Sequence, residues 1–80
     1  MKYTNYFLHM KNRPDRIGIQ DEWIEKVVQY PVEEVVQLDG RIRRWAWIPE
    51  AQKYLRVILL EDGETVHNVF FDRRYRGGEA

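Results

Sequence analysis

The chain has 80 residues, with 13 basic and 13 acidic side chains, zero net charge and no cysteine. Its length predicts a single domain, and the lack of cysteine excludes disulfides, thiolate metal sites and a cysteine nucleophile. A balanced charge argues against a general nucleic-acid coat but not against a local basic patch, and no apolar run approaches the roughly 20 residues of a membrane span. We therefore expect a soluble, cytoplasmic protein with no membrane partner.

The first half of the chain is predicted to form two helices. Residues 3–12 carry an apolar stripe at helical spacing, which Thr4 or Asn5 could cap, and this favours a short helix. The same run also fits an edge strand. A second helix is predicted over residues 20–29, because its apolar residues share one face, acidic residues occupy its first turns and Pro31 follows it.

The second half is predicted to form four β-strands, over residues 33–38, 41–48, 53–61 and 64–72. Asp39-Gly40 and Asp62-Gly63 predict two-residue turns, in which both central residues take positive φ. The first turn would place Val36 opposite Arg43. We therefore predict an α+β fold, in which two N-terminal helices pack on one face of a four-stranded antiparallel sheet. The domain is expected to span residues 1–76, followed by a disordered tail at 77–80.

The same turns predict the strand registers and the two faces of the sheet. Asp62-Gly63 would place Leu59 opposite Val66, Val57 opposite Asn68 and Leu55 opposite Phe70. The short connection 49–52 would place Ile48 opposite Lys53, unless a bulge there shifts the register and turns the strand over. Alternation then gives an apolar face of Ile42, Ala46, Ile48, Leu55, Val57, Leu59, Val66 and Phe70, with Arg44 and Asn68 as exceptions. The opposite, aromatic–cationic face contains Arg41, Arg43, Trp45, Trp47, Tyr54, Arg56, His67, Phe71 and Arg73.

The aromatic–cationic face suits two different roles. Aromatic rings can stack on nucleic-acid bases while arginines neutralise phosphates. Tryptophan, tyrosine and arginine are also enriched at the centres of protein interfaces. Trp45, Trp47 and Tyr54, with Arg41 and Arg43 beside them, could therefore bind RNA or form the interface of a homodimer or of a complex with another protein.

The residue types restrict the chemistry that this face could perform. The chain has two histidines and no serine, cysteine or glycine-rich loop, so we expect no metal site, no cofactor and no serine or cysteine nucleophile. Metal-free RNA cleavage needs a base, an acid and cations near the phosphate. His67 could be the base or acid, with Arg56 as its near diagonal neighbour in the predicted register. Arg73, Arg43 or Arg41 could hold the phosphate, and Tyr75 could supply an acid or a stacking surface. Alternatively, His67 is a half-buried strand residue and the arginines are solvated.

Four features of the chain resemble small bacterial domains related to RelE/ParE-type toxins and BrnT-like ribonuclease toxins. They are a first helix ending in Met10 to Arg13, an acidic helix running from Asp21 to Pro31, a central Tyr-Leu-Arg-Val at 54–57 and a last strand that ends in basic residues. Two positions depart from that pattern: Asn5 stands where such domains often have histidine, and His9 where they often have arginine.

The resemblance implies a RelE-like α+β fold whose exposed sheet face meets RNA or the ribosome. It also implies a toxin of a toxin–antitoxin pair, which acts as a metal-independent endoribonuclease and has an antitoxin protein as its partner. The positions that match such toxins in kind are Arg56, Arg73 and Tyr75, to which the residue chemistry adds His67. The alternative hypothesis is a non-catalytic homodimeric or partner-binding module that uses the tryptophans and arginines of the same face.

Overall fold

The computed structural model describes residues 1–77, which form an α+β fold of two helices and a five-stranded mixed sheet. In chain order the elements are β1 (Lys2–Tyr3), α1 (Asn5–Met10), α2 (Asp21–Gln29), β2 (Glu33–Val36), β3 (Ile42–Ile48), β4 (Lys53–Leu59) and β5 (Thr65–Phe71). The predicted tail at 77–80 lies outside the described residues, apart from Gly77. No helix within residues 1–77 is long and apolar enough to cross a membrane.

The sheet has the strand order β1-β5-β4-β3-β2. Strands β2 to β5 are sequential and antiparallel, as predicted. However, β1 adds a short parallel strand beside β5, so the sheet has five strands and not the four that we predicted. Tyr3 lies opposite Val66, and the Thr4 N–H donates to the Val66 carbonyl at 3.0 Å. This pairing supplies partners for backbone groups on the edge of β5 that would otherwise lack them.

Both helices form where the sequence predicted helices. Thr4 caps α1, because its side-chain oxygen accepts a hydrogen bond from the Phe7 N–H at 3.0 Å. Helix α2 carries Asp21 and Glu22 in its first turn, where the helix dipole favours anions. The two helices cover the apolar face of the sheet, and the resulting core contains Phe7, Ile24, Val27, Ala46, Ile48, Leu55, Val57, Leu59, Val66 and Val69.

The register between β3 and β4 agrees with the prediction, because Ile48 lies opposite Lys53 and Trp45 opposite Arg56. The register between β4 and β5 agrees only at its start, where Leu59 lies opposite Val66. A bulge follows, which places Val57 opposite Val69 instead of Asn68 and Leu55 opposite Phe71 instead of Phe70.

The bulge exchanges the faces that we predicted for Phe70 and Phe71. Phe71 packs toward the core against Trp23, with 6.2 Å between ring centroids, and Phe70 joins the aromatic–cationic face, where it lies under Arg56. The unbulged register would direct the amide of Asn68 into the apolar face, which is costly without hydrogen-bond partners. The extra residue of the bulge instead places Val69 on the apolar face, where its side chain is buried.

Neither predicted two-residue turn forms. At the first, Gln37 bonds to Arg41 across a three-residue loop that ends in Gly40 at φ +90°, so Val36 lies opposite Ile42 instead of Arg43. At the second, the Asp62 carboxylate accepts hydrogen bonds from the Glu64 and Thr65 N–H groups, both at 2.9 Å. Both loops keep the aspartate at negative φ, since Gln52 is the only non-glycine residue of the described chain with positive φ.

Candidate functional site

Aromatic side chains pack together on the open face of the sheet, where β3 ends and β4 begins. Trp47 lies opposite Tyr54, and the two rings meet edge-on with their centroids 5.1 Å apart. After β5 the chain turns back, because the Arg74 N–H bonds to the Asp72 carboxylate at 3.1 Å. This turn brings Tyr75 onto the sheet, where it stacks on Trp45 at 4.8 Å. Trp45 is therefore buried, whereas Trp47 remains 40% exposed.

Arg56 lies within this cluster and is already paired. Its Nε atom is 3.4 Å from Oδ2 of Asp72, the same oxygen that accepts a hydrogen bond from Trp45 Nε1 at 2.9 Å. Its guanidinium also lies 4.4 Å from the centroid of the Phe70 ring. Burial lowers the pKa of Arg56, and the charge of Asp72 opposes that shift. The Nε atom of Arg56 is buried and makes no hydrogen bond. Arg56 is thus held by the charge of Asp72 and by the Phe70 ring, and it does not present a free cation to a phosphate.

The pKa of the Asp72 carboxyl is lower than usual in the folded chain. Burial on its own raises this pKa, but the hydrogen bonds from Trp45 and from backbone N–H groups, together with the charge of Arg56, outweigh it. Asp72 is therefore an anion at neutral pH. The aromatic–cationic face, which contains no carboxylate among its predicted members, thus receives one from the residue after β5.

Tyr75 is held by a second carboxylate. Its hydroxyl donates to Oε1 of Glu33 at 2.6 Å, which joins the segment after β5 to β2 on the far side of β3 and β4. Burial and the adjacent Glu33 both raise the pKa of Tyr75 above its ordinary value. A phenol is a poor general acid near neutral pH when its pKa is raised and its proton is already donated to a carboxylate. The geometry therefore favours Tyr75 as part of the aromatic surface.

His67 lies in the bulged part of β5 and faces α1. Its Nδ1 atom is 3.1 Å from Oγ1 of Thr4, and its ring stacks on Tyr6 with the centroids 4.8 Å apart. Burial lowers the pKa of His67, and the positive charge of Arg41 lowers it further. The imidazole is therefore neutral at pH 7.

The four residues predicted as catalytic are thus not gathered at one point. Arg56 and Tyr75 both pack on Trp45, and Arg73 borders a cleft at the end of the sheet. His67 is held beside α1 instead. Of the predicted binding arginines, Arg41 is exposed near His67. Arg43 is half-buried and donates to the Gln37 amide oxygen once that amide is oriented to accept.

An open cleft at this end of the sheet has a volume of about 470 Å³. We call it the aromatic cleft, and its lining consists of Trp47, Gln52, Lys53, Tyr54, Asp72, Arg73, Tyr75 and Arg76. Lys53 and Arg73 also border a neighbouring cleft of about 490 Å³, next to Phe70 and Arg16. Three aromatic side chains and three cations therefore meet at this end of the sheet.

Sequence reasoning missed several residues of this site. Lys53 and Arg76 line the aromatic cleft but were not among the predicted binding residues. The basic run at 73–76 was a usable signal for Arg76, whereas the roles of Glu33 and Asp72 depend on contacts between distant residues. No group of three or more metal-ligating side chains occurs in the part of the chain that the structure describes.

Comparisons with known proteins give no relative for this chain. No protein-family model matches it, and neither the curated proteins nor the solved structures contain a significant match.

Proposed function

We propose that this protein is an RNA-binding protein of RelE-like architecture, whose aromatic cleft holds single-stranded RNA. The observation that carries the proposal is the position of Trp47. Its ring is 40% exposed at the cleft, is supported edge-on by Tyr54, and shares the cleft with Lys53, Arg73 and Arg76. An exposed ring next to cations is the arrangement that proteins use to stack a base and neutralise the adjoining phosphates.

Single-stranded RNA fits this cleft better than a duplex does. A base can stack on Trp47 only if its own face is free, and bases in a duplex are covered by their neighbours. The cleft volume of about 470 Å³ falls at the small end of the range for ligand pockets, so it suits a small group such as a nucleotide. Lys53 and Arg73 also line the second cleft, beside Arg16 and Asp15, so the phosphates that follow can meet these cations there.

RNA cleavage is a second candidate function, and the state of His67 favours it. A neutral imidazole with Arg41 nearby combines a proton acceptor with a phosphate-binding cation. If Nδ1–H donates to Thr4, the Nε2 atom is left to take a proton from a ribose 2′-hydroxyl. In this form the protein is a metal-independent endoribonuclease toxin with an antitoxin partner, as the family resemblance implies. Arg56, Asp72 and Tyr75 then support the RNA-binding face.

Fluorescence anisotropy with a labelled single-stranded RNA oligonucleotide tests binding. Trp47→Ala removes the exposed ring and should weaken binding about tenfold, since one stacked base is worth roughly 1–3 kcal/mol. Tyr30→Ala is the matched control, because Tyr30 is also exposed but lies at the end of α2, outside the aromatic cleft. Absence of binding by the unaltered protein, or equal binding by Trp47→Ala, would refute the proposal.

Cleavage is tested separately by incubating the same RNA with the protein and a chelator and mapping new ends. Cutting should persist in the presence of the chelator and be lost in His67→Gln. His9→Gln serves as the control, because His9 is exposed on α1. Intact RNA from a protein that binds it would remove the nuclease candidate and leave the binding function standing.

A further inference from the structure

Strand β2 forms one edge of the sheet and exposes an unusual number of apolar side chains. Within residues 1–77 no strand pairs with its outer side. Val35 is 39% exposed, Val36 is 63% exposed, and Val32 and Leu38 at either end are more than half exposed. Proteins usually protect such an edge with lysine, proline or a bulge, because its free backbone groups invite another strand.

The backbone of β2 offers a definite set of outward groups. The Gln37 N–H donates to the Arg41 carbonyl, so Gln37 directs its backbone toward β3. The N–H and C=O groups of successive residues point to alternate sides of a strand, so those of Val35 also point toward β3. Glu34 and Val36 therefore direct their N–H and C=O groups away from the sheet.

We propose that β2 pairs antiparallel with β2 of a second copy of this chain, with Val35 opposite the partner's Val35. Side chains on opposed residues must point to the same face, so the two-fold axis lies beside a residue and not between two. The candidates at the centre of this edge are Glu34, Val35 and Val36. An axis beside Glu34 would oppose two carboxylates. An axis beside Val36 would place most of β2 against the partner's 37–39 segment, because only Val36 would lie opposite a residue of the partner's β2.

The register centred on Val35 is the one in which the two edges complement each other. It sets Val32 against the partner's Leu38, Glu33 against the partner's Gln37 and Glu34 against the partner's Val36. The Glu34 carboxylate is already bonded to Arg44 at 2.6 Å, so an apolar neighbour leaves it satisfied. The outward backbone groups of Glu34 and the partner's Val36 then exchange both of their hydrogen bonds, and the two-fold axis repeats the exchange.

This pairing has a consequence for the open face of the sheet. A two-fold axis perpendicular to the sheet keeps corresponding faces on the same side, so both aromatic clefts of the dimer open in one direction. The interface joins two four-residue strands and is therefore small. Interfaces of this size are generally weak, and we expect a dimer that forms at high concentration and dissociates on dilution.

Sedimentation of the full chain from micromolar to millimolar concentration tests the pairing. The mass should rise toward twice that of one chain as concentration increases. Val35→Lys and Val35→Glu should each stay monomeric, because each sets like charges against each other at the axis, whereas their mixture should dimerise. Ile17→Lys, which adds the same charge at a residue that is 69% exposed elsewhere, should behave as the unaltered protein.

A disulfide test reports the same contact without adding charge. The natural chain has no cysteine, and Val35 lies in a non-hydrogen-bonded pair, where Cα atoms are about 4.5 Å apart and a disulfide fits. With oxidised glutathione as the oxidant, Val35→Cys should cross-link to a dimer far faster than Ile17→Cys. Circular dichroism first establishes that each variant is folded. A natural chain that stays monomeric at millimolar concentration, or equal cross-linking of the two cysteine variants, would overturn the proposal.

Discussion

Arg56 and Asp72 form a partly buried ion pair on the open face of the sheet, with Nε and Oδ2 3.4 Å apart. Trp45 donates to the same carboxylate oxygen, and Tyr75 stacks on Trp45. This relationship explains why an arginine in the middle of a strand is not a free cation. It also explains how the chain beyond β5 is held against the sheet, where it completes the aromatic cleft.

Asp72→Asn should destabilise the fold by about 1–3 kcal/mol, because it leaves the guanidinium of Arg56 partly buried without a counter-charge. Urea unfolding at neutral pH measures this loss. Glu50→Gln is the control, since it makes the same chemical change at an exposed residue and should alter stability little. Similar midpoints for the two variants would show that the pair contributes no stability.

Arg73→Gln/Arg76→Gln should reduce the salt dependence of RNA binding. Each phosphate contact to single-stranded RNA contributes about 0.7 to the slope of log affinity against log salt, so losing two contacts should reduce the slope by about 1.4. Anisotropy titrations at several salt concentrations measure it. Lys11→Gln/Arg13→Gln removes the same charge outside the aromatic cleft, and an equal change of slope there would show that the two arginines have no special role.

His67 should titrate below 6.5, the ordinary pKa of histidine, because burial and Arg41 both oppose its charged form. The unfolded chain then binds the proton more readily than the native state does, so stability is full above about pH 6.5 and is lost as the pH falls through the folded pKa of His67. NMR of the imidazole protons measures the pKa directly, and urea unfolding across this range measures the linked stability.

Two variants separate the causes of that shift. Arg41→Gln removes the nearby positive charge and should therefore raise the pKa of His67. The lowering of this pKa that burial causes should remain. His67→Gln should flatten the pH dependence of stability in this range, which His9→Gln should leave unchanged. A pKa for His67 at or above 6.5 in the unaltered protein would contradict the half-buried position against Thr4 and Tyr6.

Gly40→Ala and Gly18→Ala should have opposite effects on stability. Gly40 has φ +90°, and a Cβ there would lie 2.8 Å from a Glu61 side-chain oxygen, so alanine should cost about 1–2 kcal/mol. Gly18 lies in open space with no positive φ, so alanine should stabilise by about 0.4–1 kcal/mol through the unfolded chain. Thermal unfolding of both variants measures the contrast, and a loss of stability in both would show that Gly18 is also conformationally required.

The sequence by itself determined the parts of the molecule that depend on near neighbours. The start of α1 at Thr4 or Asn5, the extent of α2 and, with no bulge in the 49–52 connection, the register of β3 on β4 follow from side-chain spacing and from short connections. The structure then showed that Thr4 is the cap. The alternation of β3 and β4 likewise placed Trp45, Trp47, Tyr54 and Arg56 on one face. These features could be predicted because each is set within one element or across one loop.

Only the tertiary structure decided how that face is completed. Trp45 meets Asp72 across 27 residues, Tyr75 meets Glu33 across 42, and Thr4 meets His67 across 63. The bulge in β5 likewise depends on which side chains the core accepts, since it brings Val69 inward and turns Asn68 out. Such choices are made by packing and by the cost of burying polar groups, which no local pattern in the sequence records.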